Sequence, residues 1–302
     1  MRLPTRWSKI PTMPVSKVIA TDLDGTLFYP KKNFRMVSKD NRLFIDRFSD
    51  DGGKLLLVSG RSRYSCEKLA AKLGRKIDFV CCNGSCIVSN GTLIKDTTLE
   101  PEPLKKVLLD IEQRYPIMLT MLFTKHHGLV MRHSGLSGLT GIGYRIYTFF
   151  QFNYRESIIL NDRLYFEELE KGEVYKAMVM FGTSKKKIKM AEKAREILAQ
   201  ERPDLTFAWS KQVIEITPKG CSKSEGVLFY LDYNHLNYDN VMVVGDSGND
   251  ISMFDAFPKN SFCMEHSPDS VKQHATYLIK RFYDLADYVY PSEETAKSPI
   301  KN

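Results

Sequence analysis

Three features of this sequence predict an α/β fold in which a parallel sheet is interrupted by a separate α+β module. Short apolar, β-branched runs alternate with helix-spaced stretches over residues 18–82. That rhythm lapses between about residues 86 and 216, where hairpin signals and helices follow one another without it. It returns from about residue 217 with a helix and another fully apolar strand.

Each element follows from local chemistry. Val18-Ile19-Ala20-Thr21 reads as a buried strand that stops abruptly at Asp22-Leu23-Asp24-Gly25-Thr26. Ser38 can cap a helix running to about Asp50, with Ile45 and Phe48 inward and Gly52 ending it. Lys54–Val58 is a second strand, closed by Ser59-Gly60-Arg61. A helix carrying Cys66, Leu69, Ala70 and Leu73 follows and stops at Gly74. Ile77–Cys82 is a third strand, closed by Asn83-Gly84.

The inserted stretch begins with a predicted hairpin, Ile87-Val88 and Thr92-Leu93-Ile94 about an Asn90-Gly91 turn. Pro101 and Pro103 open a helix with Leu104, Val107, Leu108 and Ile111 on one face. Strands are expected at 117–123, 128–132, 177–181, 205–209 and 213–216, and helices around 154–171 and over 184–200. After Pro218-Lys219-Gly220 a helix runs from Lys223 to about Leu231. The strand Val241–Val244 then ends at Gly245-Asp246-Ser247-Gly248-Asn249-Asp250.

Composition narrows the function. The chain has 302 residues, 43% of them hydrophobic, enough for a substantial core. No apolar run approaches the roughly 20 residues a membrane span needs. The basic start, residues 1–13, reads as a flexible tail without a secretory signal, and translation from Met13 would omit it. A net charge of +8 is spread along the chain. Its one run, Lys185-Lys186-Lys187, opens an amphipathic helix, so no nucleic-acid partner is expected. Six cysteines in a chain of this length form no disulfide framework. Cys81, Cys82 and Cys86 read as buried thiols of a cytoplasmic protein. His126, His127 and His133 read as ordinary surface or loop histidines.

The polar strand ends carry the chemistry. In an open parallel sheet such ends share one edge, where ligands bind. Asp22 and Asp24 lie on alternate residues and can point the same way. With Asp246 and Asp250 they describe an oxygen-rich site suited to Mg²⁺, and the lack of histidine or cysteine there argues against zinc. Asp22, Asp24, Asp246 and Asp250 together bring four negative charges; Mg²⁺ and Lys223 return three. One protonated carboxyl then makes the site neutral, whereas without metal it repels a phosphate dianion. A unit-charge pair at about 4 Å and effective dielectric of about 20 is worth about 4 kcal/mol.

DLDGT, the SGR strand end, a later lysine and GDSGND, in this order, resemble the haloacid dehalogenase superfamily. The large insertion before Lys223, Asn83-Gly84 and GCSKSEG at 220–226 resemble its Cof-like phosphatases. The resemblance implies a Rossmann-like parallel-sheet core, residues 14–85 and 217–302, with an inserted α+β cap domain, residues 86–216. It implies a Mg²⁺-dependent phosphatase of small phosphorylated metabolites, most readily sugar phosphates, acting as a monomer or small homo-oligomer. Asp22 would be the nucleophile and Asp24 the general acid and base. Mg²⁺ would be held by Asp22, the Asp24 backbone carbonyl and Asp246, with Asp250 reaching it directly or from behind. Ser59, Gly60, Asn83, Gly84, Lys223 and Asn249 would bind the phosphoryl group. Open alternatives are Lys219 in place of Lys223, Ser59 as a mere helix cap, a phosphomutase using the same intermediate, and a phosphate-binding regulator without turnover. The familiar Asn-x-x-Asp-Gly signature after the last strand is replaced here by YLIKRFYDLADYV.

Overall fold

The computed structural model describes residues 17–30, 37–132, 158–210 and 213–291. The expected tail, Met13 and His133 lie outside these residues, as does the start of the helix expected around 154–171.

Among the described residues, eight strands form the larger sheet. They are β1 (Val18–Thr21), β2 (Lys54–Val58), β3 (Asp78–Cys81), β4 (Cys86–Ser89), β5 (Thr92–Asp96), β12 (Val241–Gly245), β13 (Ser261–Met264) and β14 (Tyr277–Ile279). Their order is β14-β13-β12-β1-β2-β3-β4-β5. Pairing is parallel from β14 to β3 and antiparallel from β3 to β5. The sequence pattern places 86–96 in the inserted module; the structure corrects this. Phe79, Val80 and Cys81 pair with Val88, Ile87 and Cys86, so the hairpin completes the edge of the larger sheet. The cue that misleads is the local change from parallel to antiparallel connection, which says nothing about which sheet receives the strand.

Alternation along the strands explains the layers. Ile19, Leu55, Leu57, Phe79, Met242 and Val244 face one way and pack with Phe44, Ile45 and Phe48 of α1 (Lys39–Asp50) and Cys66, Leu69 and Leu73 of α2 (Arg63–Leu73). Val18, Ala20, Leu56, Val58, Val80 and Val243 face the other way. They pack with Val227, Tyr230 and Leu231 of α6 (Lys223–Tyr233) and Met253 and Phe254 of α7 (Ile251–Ala256). Both faces are dry, which is why these strands read as continuous apolar runs.

The second sheet has the order β10-β11-β9-β6-β7-β8. Its strands are β6 (Leu119–Thr124), β7 (Gly128–Met131), β8 (Ile158–Leu160), β9 (Val174–Met180), β10 (Leu205–Ser210) and β11 (Val213–Pro218). One face packs on α3 (Pro101–Arg114), α4 (Asp162–Lys171) and α5 (Lys185–Glu201) through Leu122, Val130, Val179, Ile214 and Ile216. Met121, Phe123, Met180 and Val213 join the cluster that includes Phe28 and Cys82 of the larger unit, so this sheet's other face is turned to the first domain. Ser184 caps α5 by accepting the Lys187 N–H, and the three lysines open a solvated helix. The six cysteines are free and buried. No helix among the described residues is long and apolar enough to cross a membrane.

Candidate active site at the carboxyl ends of the parallel strands

The site grows from the end of β1. Asp22 keeps an extended backbone (φ −64°, ψ 162°), and the chain then closes into a tight turn over Leu23–Leu27. Gly25 makes the turn possible with φ of 92°, and a Cβ there would stand 2.3 Å from Asp246 Oδ2. Gly25→Ala is therefore expected to destabilise the fold by about 1–3 kcal/mol and to displace Asp246. Denaturant unfolding together with an activity assay checks this, and wild-type values for both would contradict it.

β12 pairs with β1 in parallel, Thr21 opposite Val244, which brings Asp246 to Asp22. The turn after β12 folds Asp250 inward. Its Oδ2 accepts the N–H groups of Asp246 and Ser247, each at 2.9 Å. One oxygen each from Asp22, Asp246 and Asp250 lie within 4.8 Å of one another, all three residues buried. Thr26 Oγ1 donates to Asp246 Oδ1 at 3.2 Å, and His266 Nε2 stands 3.9 Å from Oδ2.

Lys223 is the counter-ion. Ser222 caps α6 by accepting the Glu225 N–H, which sets Lys223 in the helix's first turn, 1% exposed. Its Nζ donates to Asp22 Oδ1 at 2.7 Å and Asp250 Oδ1 at 2.6 Å. Burial opposes the charge, but the Asp22 and Asp250 carboxylates outweigh it and hold the ammonium well above the ordinary lysine range. Lys219, the other lysine weighed, is exposed. Burial pushes the Asp22 carboxyl well up; Lys223 opposes this, while Asp250, Asp246 and Asp24 reinforce it. The site thus carries more negative charge than Lys223 neutralises. A hard divalent cation fits this all-oxygen donor set and would favour the carboxylate form of Asp22.

Asp24 does not join the three acids. Its carboxylate turns to Arg61, whose Nε and Nη2 donate to Oδ2 and Oδ1 at 2.6 and 2.7 Å. Arg61, buried, is a site residue that the sequence alone left unassigned. Ser59 is buried and accepts the Arg61 N–H at 3.2 Å; the cap of α2 is Ser62, which accepts the Ser65 N–H. Gly84 lies against Ser222, whose oxygen would be 2.3 Å from a Cβ, and so lets the end of β3 meet the start of α6.

Asn83, Asn249 and Gly60 reach the site's rim, where two residues of the second sheet meet them. Asn83 Nδ2 donates to Glu215 Oε2, and Asn249 Nδ2 donates to the same oxygen at 3.2 Å. Lys176 Nζ donates to the Gly60 carbonyl. Sequence reasoning missed Lys176 and Glu215. Their signal was a single charge within each of the strands Val174–Met180 and Val213–Pro218. His126 and His127 lie in the turn between β6 and β7 and face Glu173 and Glu168, at 3.6 and 3.2 Å.

The model of the haloacid dehalogenase-like hydrolases matches residues 19–284. The chain belongs to this family. Among relatives of this haloacid dehalogenase-like hydrolase, the pyridoxal phosphate phosphatase YbhA of Escherichia coli is 26% identical over 91% of this chain and 98% of its own. The 5-amino-6-(5-phospho-D-ribitylamino)uracil phosphatase YwtE of Bacillus subtilis is 25% identical over 87% of this chain and 93% of its own. Among solved structures, that of the haloacid dehalogenase subclass IIB sugar phosphatase BT4131 superposes with a TM-score of 0.68. It is 18% identical and covers 91% of this chain and 96% of its own, which establishes a shared fold. The family resemblance drawn from the motifs is borne out, and with it the α/β core carrying a cap domain.

Proposed function

We propose that this protein is a Mg²⁺-dependent phosphatase that hydrolyses small phosphate monoesters, sugar phosphates among them, through a phosphorylated Asp22. The family supports a phosphoric monoester hydrolase, and the two curated relatives are named as phosphatases of small phosphorylated molecules. The observation that carries the reading is the buried Asp22 carboxylate held on Lys223 beside Asp246 and Asp250.

Asp22 attacks phosphorus through the carboxylate oxygen not committed to Lys223. The bond from phosphorus to the ester oxygen breaks, and the leaving alcohol takes its proton from Asp24. Asp24 then receives a proton from the water that attacks the aspartyl phosphate, which frees inorganic phosphate and Asp22. The Arg61 contact presents Asp24 as a carboxylate, the form this second step uses; proton donation in the first step requires Asp24 to turn away from Arg61. Lys223 offsets charge on the phosphoryl oxygens and Ser59 Oγ lies beside them. Asp22 and Asp246 would hold Mg²⁺, with Asp250 orienting Lys223 and the loop. The ion would supply charge neutralisation that lets a phosphate dianion approach this acidic cluster.

Removal of divalent metal is expected to lower phosphate release by about 10³-fold or more, and added Mg²⁺ to restore it. The assay is inorganic phosphate release from p-nitrophenyl phosphate and a panel of sugar and cofactor phosphates, before and after chelation. Turnover that survives chelation would overturn the metal's role. Isomerised sugar phosphate in place of released phosphate would instead establish a mutase.

A further inference from the structure

Two buried charges cross from the cap to the catalytic rim. Lys176 and Glu215 are 1% and 5% exposed, and they project from β9 and β11 on the face that carries Met180 and Val213. Burying an ammonium and a carboxylate on an apolar sheet face is unfavourable unless both find partners. Here their partners lie on the other domain. Glu215 Oε2 accepts from Asn83 and Asn249, Lys176 Nζ donates to Gly60, and Lys176 Nζ and Glu215 Oε1 stand 3.5 Å apart. Lys176 Nζ also lies over the Phe123 ring of the cap, 4.3 Å from its centroid. Burial pushes the Glu215 carboxyl up, but Lys176, the Asn83 amide, Lys223 and the Asn249 amide outweigh it and keep it ionised.

The three rim segments tied in this way are those that carry the reaction. Gly60 lies between Ser59 and Arg61, Asn83 follows β3, and Asn249 lies between Asp246 and Asp250. The Asn83 and Asn249 amides are committed to Glu215, so they act on the phosphoryl site through the loops they hold. We propose that Lys176 and Glu215 are positioning residues, an interdomain latch that aligns these three rim segments only when the cap is docked. The latch couples closure to catalytic competence, because an open cap leaves both charges hydrated and all three segments untied. This rests on the phosphatase reading for its kinetic consequence but not for its structural one.

Trp209 supplies a reporter independent of turnover. It lies against Gly248 of the Asp246–Asp250 turn, where a Cβ would stand 2.6 Å from its Cε3. The chain has two tryptophans, and a Trp7→Phe background leaves Trp209 alone. In that background Glu215→Gln and Lys176→Met are expected to raise acrylamide quenching of Trp209. They are also expected to lower kcat for p-nitrophenyl phosphate by about 100-fold through misplacement of the rim, with less change in KM. The Lys176→Met/Glu215→Leu variant removes both charges together, which commonly preserves stability. It is expected to fold and yet keep the low kcat, because nothing then holds Asn83 and Asn249. Wild-type kcat in this double variant, or wild-type quenching and kcat in folded single variants, would overturn the proposal. Absence of phosphate release by the wild type would instead refute the phosphatase reading, while the quenching comparison would still decide the latch.

Discussion

Asp22→Asn should abolish phosphate release, with a loss of about 10⁴-fold or more, the scale seen when a covalent nucleophile is removed. The amide keeps the shape of the carboxylate but cannot form the acyl phosphate. The same substitution should leave metal-free protein at least as resistant to heat as the wild type. Burial and the neighbouring acids raise the Asp22 carboxyl well above its unfolded value, net of the Lys223 attraction. A carboxyl raised in this way stabilises the fold below its unfolded pKa, and that contribution is lost as pH rises through the folded value. At neutral pH in the absence of metal, an ionised Asp22 is therefore a burden that asparagine removes. A clear fall in the unfolding temperature would contradict this charge balance, and residual turnover near wild type would refute the nucleophile.

Lys223→Ala should act on both rate and stability. It leaves Asp22 and Asp250 buried without their shared ammonium, and breaking a buried pair from one side costs about 3–5 kcal/mol. Loss of a preorganised donor to the phosphoryl oxygens should lower kcat by a further factor of about 10²–10³. Lys219→Ala is the control: it removes an exposed side chain, and such changes fall within about 0.5 kcal/mol. Paired denaturant unfolding and steady-state kinetics separate the two effects. Equal behaviour of the two variants would mean that the charge balance around Asp22 has been misread.

Much of this was legible along the chain because buried parallel strands announce themselves. Val18–Thr21 and Val241–Gly245 are apolar on both faces, and each ends at an aspartate. Parallel pairing of those two strands gathers Asp22, Asp246 and Asp250. What stayed hidden depended on partners far apart in sequence. Asp22 and Asp24 were expected to point together, yet the Gly25 turn begins at once and Arg61 draws Asp24 aside. The 86–96 hairpin shows its own turn plainly, but its outer partner, β3, is chosen by hydrogen bonds that no local pattern encodes. Lys176 and Glu215 carry meaning only once two domains meet.

The chain leaves the larger sheet after β5 and comes back just ahead of α6, and these two places are neighbours, since Lys95 Nζ reaches the Gly220 carbonyl at 3.5 Å. The chain thus enters and leaves the intervening module side by side, and no rung of the eight-stranded ladder passes through it. Insertions and deletions inside the module can therefore leave the eight-stranded sheet unbroken, provided that Lys176 and Glu215 still meet the rim.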